Sequence, residues 1–303
     1  MKISLFHQAT KIVVFLLVAV APASRADVNA LEIQQVTPHV YALVGKRGPM
    51  TVADLGTNAT FGVIVAKHSV VLVDPGASYK GAKRIHEAIR TITDKPVRFV
   101  INTGGEDLRW LGNAYFSERG AKIIAAEAAV LDQHKRVIDQ LSRLAVLLGE
   151  EGSEGTRDVY ADTTFDEKKD LVVDGMRIAI RRVGPAYTPG DAYVWLADEG
   201  VVFTGDVVFV ERLLMIGTVS NTLGWIKAFE SISSLKPAHI VPGHGHVTAL
   251  GRARADTLDY IVTLRRGIKG LIDADAGLAE AGKVDQSKFH KLIGYEMLKG
   301  RNA

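Results

Sequence analysis

Five side chains in four short segments hold most of the chemistry this sequence can offer. Glu106 and Arg109 lie in "INTGGEDLRWLGN" (101–113) and Tyr187 in "GPAYTPGDAYV" (184–194). Asp206 lies in "VVFTGDVVF" and His244 in "IVPGHGHV", both Gly-flanked strand ends. Carboxylate and imidazole groups offer lone pairs to a divalent cation, imidazole and phenol move protons, and a guanidinium is a permanent cation that holds anions. The chain has no cysteine, which removes thiolate ligands, a Cys nucleophile and disulfides together.

Other strings carry less. "HEAIR" (86–90) starts like H-E-x-x-H but ends in Arg90, and its His86 reads as surface. "GHGHV" lacks the Gly-Lys-Ser/Thr ending of a phosphate loop, and no G-x-S-x-G supports a serine hydrolase. His39, His134, His239 and His290 have no partner pattern, and His246 reads as a turn residue. Asp191 reads as support for the turn that carries Tyr187, and Asn102 and Thr103 as turn formers.

The elements that must place these groups form a repeated theme. From Pro38, "VYALVG", "TFGVIVA" and "SVVLVD" read as strands. Ala82, Ile85, Ile89 and Ile92 then recur at helical spacing, and "VRFVIN" reads as a buried strand. A short helix closed by Gly120, the strand "AKIIAA" and an amphipathic helix over 126–149 complete the first half. After a polar loop near 149–158, "DLVVDG", "MRIAIRRV", "AYVWLAD" and "VVFTGD" are strands, followed by a helix around "LGWIKAFESISSL", the strand "HIVPG" and a helical C-terminal segment. Two such halves predict sheets packed face to face with helices outside, in one domain over 27–303.

Residues 1–26 differ from the rest. Lys2 and Lys11, the apolar run "IVVFLLVAVAPA", then Ser24 and Ala26 form the pattern of a secretory signal peptide cut after Ala26. The run is too short for a membrane span, which needs about 20 residues. The cut would remove Lys2, Lys11 and Arg25, so that 37 basic residues become 34 against 34 acidic ones. A periplasmic or secreted, formally neutral protein follows, with no pull toward nucleic acid or, after cleavage, toward a membrane.

The order of these motifs resembles the metallo-β-lactamase superfamily, αβ/βα four-layer sandwiches that usually hold one or two zinc ions between the sheets. "VLVDPG" (71–76) is similar to the family's strand ending in a structural Asp. "INTGGEDLRWLGN" stands where the family has H-x-H-x-D-H, "GPAYTPGD" where a third His precedes T-x-G-D, and Asp206 and His244 match the bridging Asp and the final His. Carried over residue by residue, the missing ligands fall on Gly104, Glu106, Leu108, Arg109 and Tyr187. The leader, "ITDKPVRFVINT" and the absence of Cys look most like exported members related to sulfur-oxidation and quinoprotein systems.

Gly104 and Leu108 have no side-chain lone pair, Tyr187 would have to ionise, and a guanidinium repels a divalent cation. Turned inward, Arg109 could instead pair with Asp206 or Glu106. Three readings follow. The first is a non-hydrolytic protein that binds a small-molecule or protein partner and needs no cofactor. The second is a hydrolase with a single divalent metal, zinc or manganese, on Glu106, Asp206 and His244. The third is a metal-free enzyme in which Tyr187 or His244 moves protons and Arg109 holds an anion. Gly104→His, Glu106→His, Leu108→Asp, Arg109→His and Tyr187→His together are expected to restore metal binding. The apolar stretch 210–225 is expected to overhang the pocket.

Overall fold

Among the described residues, twelve strands divide into two sheets. The computed structural model describes residues 31–303, so the leader and its cut after Ala26 lie outside the described residues. The first sheet holds β1 (Glu32–Thr37), β2 (Val40–Val44), β3 (Thr60–Val65), β4 (Val70–Val73), β5 (Val97–Asn102), β6 (Lys122–Ala126) and β7 (Thr163–Phe165), in sequence order. The second runs β12-β11-β10-β9-β8, from β8 (Lys168–Val173), β9 (Met176–Arg182), β10 (Ala192–Leu196), β11 (Val201–Phe203) and β12 (His239–Val241). Pairing is antiparallel through β1–β4 and parallel from β4 to β7; in the second sheet only β11 and β12 run parallel.

Alternation along these strands builds the sandwich. Val71, Val73 and Ile101 of the first sheet meet Ile178, Ile180, Val194 and Phe203 of the second in a core between the sheets. Gly62 lets the sheets close, because a Cβ there would stand 2.3 Å from the Phe203 ring. The outer face of the first sheet buries against α1 (Tyr79–Ile92), α2 (Asn113–Ser117) and α3 (Glu127–Ser153). Ser78 caps α1 by accepting from the Gly81 amide at 2.8 Å. The helix buries Ala82, Ile85 and Ile89, each isoleucine contributing about 1.5–3 kcal/mol. The outer face of the second sheet packs on α4 (Thr222–Ser234), α5 (Leu250–Ala253) and α6 (Asp259–Asp273). Layers of helix, sheet, sheet and helix make this the αβ/βα sandwich expected from the motif order.

Several details differ from the sequence expectation. β1 is mostly polar with no buried residue, and it forms because its backbone adds to the free edge of β2, while β7 is only three residues long. In α3, Gly149 leaves helical geometry (φ 71°, ψ 176°), close to the predicted end. The C-terminal segment is less regularly helical than its pattern: 274–294 holds two short 3-10 helices, Leu278–Lys283 and Ser287–Phe289, joined by turns, then α7 (Tyr295–Asn302) follows. Asn302 pins α7: its Nδ2 donates to the Leu214 carbonyl at 2.8 Å and the Tyr260 hydroxyl at 2.9 Å, and its Oδ1 accepts from Ile216 N at 2.9 Å.

Candidate functional site

Parallel strands deliver the site from both sheets at one rim. Asp74 follows β4, Thr103 follows β5, Asp206 sits in a 3-10 turn just after β11, and His244 follows β12 by three residues. Asp74 takes a left-handed backbone (φ 65°) that aims its carboxylate at the Thr103 amide (2.8 Å) and hydroxyl (2.7 Å). Thr103 thereby ties β4 to β5 beneath the loop that carries Arg109.

Arg109 lies at the centre and is fully buried. Its Nε and Nη2 donate to Asp206 Oδ2 and Oδ1 at 3.0 and 2.6 Å, and its Nη1 donates to Asp74 Oδ2 at 3.0 Å. Nη2 also donates to the Gly243 carbonyl at 3.0 Å, and Nη1 to the Thr60 carbonyl at 3.4 Å. All five guanidinium N–H groups are thereby engaged. Gly243 permits the approach, since a Cβ there would stand 2.9 Å from Arg109 Nη2. Burial alone would raise the Asp206 pKa, but attraction to Arg109 together with the hydrogen bonds from His244 and Arg109 outweighs it and holds the carboxyl far below the ordinary range. Asp74, with one bond from the guanidinium, is pushed up by burial to about 6.

A second group of charges closes the side facing α3. Arg136 and Arg143 lie two turns apart on one helix face. Arg136 Nη1 donates to Glu106 Oε2 at 2.9 Å, and Arg143 Nη2 to Glu106 Oε1 at 2.8 Å and Asp107 Oδ2 at 2.6 Å. Arg136 also grips Asp132. Burial, followed by repulsion from Glu106, raises Asp107 to about 6 against the pull of Arg143.

His244 and Tyr187 form the other wall. His244 Nε2 is 3.3 Å from Asp206 Oδ1, and its Nδ1 is 3.1 Å from the Asn58 carbonyl and 3.2 Å from Arg212 Nη1. Its ring stacks on Phe209 at 4.6 Å. Burial, with the nearby Arg212 charge, lowers its pKa to about 4, so the imidazole is neutral at pH 7. Tyr187 packs edge-on to Trp225 at 5.5 Å, and burial among the carboxylates raises its phenol well above the ordinary value. Between these walls lies a cavity of about 240 Å³, continuing into a cleft of about 340 Å³ that shares Glu106, Arg143, Tyr187, Met215 and Arg301.

The model of the metallo-beta-lactamase superfamily matches residues 55–244, a span that includes Asp74 and ends at His244. This chain belongs to the metallo-beta-lactamase superfamily. The linear primary-alkylsulfatase of Pseudomonas sp. (strain ATCC 19151) is 23% identical over 253 residues, covering 69% of this chain and 47% of that protein. The chain thus spans about half the length of this curated relative. The metallo-beta-lactamase from Pontibacter korlensis superposes with a TM-score of 0.57 at 18% identity, over 74% of this chain and 95% of that one. A double mutant of the sec-alkyl sulfatase PisA1 superposes with a TM-score of 0.68 at 14% identity, over 86% of this chain and 47% of that one. At these identities the structural likeness is one of fold.

Within this superfamily frame the expected site residues can be placed. Asp206 and His244 adjoin, whereas both Glu106 oxygens are bonded to the α3 arginines. Among the described residues, no group of three or more His, Asp or Glu stands in position to hold a metal ion. Arg109 points inward and pairs with Asp206, but its other carboxylate partner is Asp74, not Glu106. It has no free donor for an external anion, which corrects the anion-holding role expected of it. Gly104 also departs from a vacant ligand position: a Cβ there would stand 2.8 Å from Asp191 Oδ1. Its neighbours leave no room for an imidazole without rearrangement, so simple reversion is no longer expected to rebuild a ligand set.

Four smaller readings also change. Asn102 is the buried end of β5 and exchanges amide hydrogen bonds with Asn113, both at 2.9 Å. Thr103 is a ligand of Asp74. His86 is half-buried, with Nδ1 3.0 Å from the Tyr115 hydroxyl. His246 bridges Glu211 (2.7 Å) and Glu32 (3.0 Å). Asp191 does fix the turn carrying Tyr187, accepting from the Thr188 amide at 2.7 Å and from its hydroxyl. Arg212 and Arg301 were missed, since a lone arginine in an apolar stretch or a terminal helix has no motif; the seven-residue spacing of Arg136 and Arg143 was a usable signal.

Proposed function

We propose that this chain is an exported, non-hydrolytic ligand-binding protein on the metallo-beta-lactamase fold, in which the Arg109 guanidinium takes the place of the metal's charge. The observation that carries the reading is the full engagement of Arg109 by Asp206, Asp74 and two backbone carbonyls. A divalent ion at Asp206 would have to displace, or lie beside, a cation that cannot lose its proton.

The family's zinc site does not fit the residues present. A catalytic zinc takes three protein ligands and keeps one position open. Here Gly104 and Leu108 offer no side-chain lone pair, Tyr187 is held as a phenol, and Glu106 is committed to Arg136 and Arg143. Export rests on the leader pattern of residues 1–26.

The alternative is a hydrolase with an altered mononuclear site on Glu106, Asp206 and His244. The alkylsulfatase names of two relatives and the contact between Asp206 and His244 favour it. Turnover assays separate the two. The purified protein is offered aryl and alkyl sulfate, phosphate and carboxylate esters and a β-lactam, with zinc, with manganese and with chelator. The binding reading expects no turnover above the buffer rate in any arm. Metal-dependent hydrolysis that disappears in Asp206→Asn and His244→Ala would install the alternative.

A further inference from the structure

We propose that the cavity under α7 binds a small organic monoanion with a short apolar chain, its charged head on Arg212 and Arg301. The inference names the ligand class of the site just described, and rests on the non-hydrolytic reading for the ligand's being held rather than cleaved.

The argument starts from charge pairing. Each carboxylate lining the cavity already has a guanidinium: Asp206 has Arg109, Asp107 has Arg143, and Glu106 has Arg136 and Arg143. Two lining cations have no carboxylate. Among the described residues Arg212 bonds only the neutral His244, through Nη1 at 3.2 Å, and Arg301 makes neither an ion pair nor a hydrogen bond. A charge withdrawn from water without a counterion is costly, and the cost falls when an anion arrives. Arg212 is partly withdrawn in this way, while Arg301 at the exposed end of α7 guards the opening.

The remaining lining agrees with that head group. Tyr187 lines both the cavity and the cleft, and its hydroxyl has no hydrogen-bond partner among the described residues. Raised by burial, it remains an O–H donor, the kind of group an anion oxygen accepts from. Met50, Phe209, Met215 and Met297 supply apolar wall, and methionine adapts to chains of varied shape. At about 240 Å³ the cavity alone, below the roughly 300 Å³ where drug-sized pockets begin, takes a small ligand, and a longer chain would extend into the adjoining cleft of about 340 Å³. Glu106 and Asp107 in the lining disfavour a second negative charge.

None of these four groups, Arg212, Arg301, Tyr187 and the methionine wall, depends on a metal. Arg212 and the helix that carries Met297 and Arg301 are brought together by two segments that pair in parallel: Leu213 N donates to the Ile293 carbonyl at 2.9 Å, and Ile293 N to the Glu211 carbonyl at 3.0 Å. That pairing sets Arg212 opposite the start of α7, while Asn302 fixes the far end of the helix.

The test is calorimetric titration of the purified protein with hexanoate, hexyl sulfate, hexyltrimethylammonium, 1-hexanol and inorganic sulfate, at low and high salt. One-to-one binding of hexanoate or hexyl sulfate is expected, weakened by salt, with no binding of the cation and at least about tenfold weaker binding of the alcohol. The stronger of the two anions identifies the head group. Arg212→Gln and Arg301→Gln should each weaken the anion about tenfold or more. The Arg301→Gln variant should melt like the parent, because Arg301 is exposed and unpaired. Equal binding of hexanol or of the cation, unchanged affinity in both variants, or no binding of either anion would overturn the proposal. Release of free sulfate from bound hexyl sulfate would overturn the non-hydrolytic reading while leaving the binding site standing. Absence of both binding and release would sink the ligand proposal alone.

Discussion

Arg109 and Asp206 face each other through two parallel hydrogen bonds, Nε to Oδ2 at 3.0 Å and Nη2 to Oδ1 at 2.6 Å, with both groups buried. The arrangement matches the planar fork of a guanidinium to a carboxylate, which a lysine cannot reproduce. Two buried carboxylates, Asp74 and Asp206, share this one cation and lean on Thr103 and His244 for the rest.

Removing the cation alone leaves both acids buried. Arg109→Met should therefore cost about 3–5 kcal/mol of unfolding free energy, with Arg109→Lys in between. Combining Arg109→Met with Asp74→Asn and Asp206→Asn should recover part of that loss. Urea unfolding of the variants measures it; a single variant within about 0.5 kcal/mol of the parent would mean that Arg109 is not the counter-charge.

The pH dependence of stability contains two opposed contributions. Burial raises Asp191 from 3.8 to about 8, so its stabilisation is full below about pH 4 and is lost as pH rises toward 8. Burial and Arg212 lower His244 from 6.5 to about 4, so its stabilisation is present above about pH 6.5 and is lost as pH falls toward 4. Asp191→Asn removes the first contribution only. The urea midpoint of that variant should gain on the parent steadily from pH 5 to 8, and parallel curves would contradict the assignment.

At position 104 the expected penalty is steric. The Gly104→Ala Cβ would meet Asp191 Oδ1 at 2.8 Å and Thr188 Oγ1 at 3.3 Å. Overpacking of this kind costs about 1–3 kcal/mol, and Gly104→His should cost more. A thermally neutral Gly104→His variant that gains zinc affinity would reinstate the vacant ligand position.

Asn302 holds α7 over the cavity through three hydrogen bonds. Asn302→Ala should weaken the structure by about 1–3 kcal/mol and loosen the helix locally. Faster amide exchange confined to residues 295–302 and the 213–216 segment is the expected signature. Exchange that rises uniformly across the chain would place the effect in global stability instead.

The fold was legible because its signals are periodic: strand runs such as "SVVLVD" and "VRFVIN" and the stripe Ala82, Ile85 and Ile89 depend on alternation that tertiary context reinforces. β1 was not, since an edge strand of polar residues is made by its neighbour's open backbone and not by its own pattern. At the site, the inward turn of Arg109 could be anticipated from the residue types it replaces. Its pairing with Asp74 and the capture of Glu106 by Arg136 and Arg143 depend on how strands and a helix far apart in sequence meet. Arg212 and Arg301 offered no pattern at all.

The central claim is that a guanidinium has taken the place of the metal charge. Its most direct test is the metal content of the purified protein, measured by elemental analysis after expression with zinc, manganese and iron supplied. The account predicts far less than one metal per chain, and a melting temperature unchanged by chelator. Near-stoichiometric metal that is lost in Asp206→Asn or His244→Ala would contradict it.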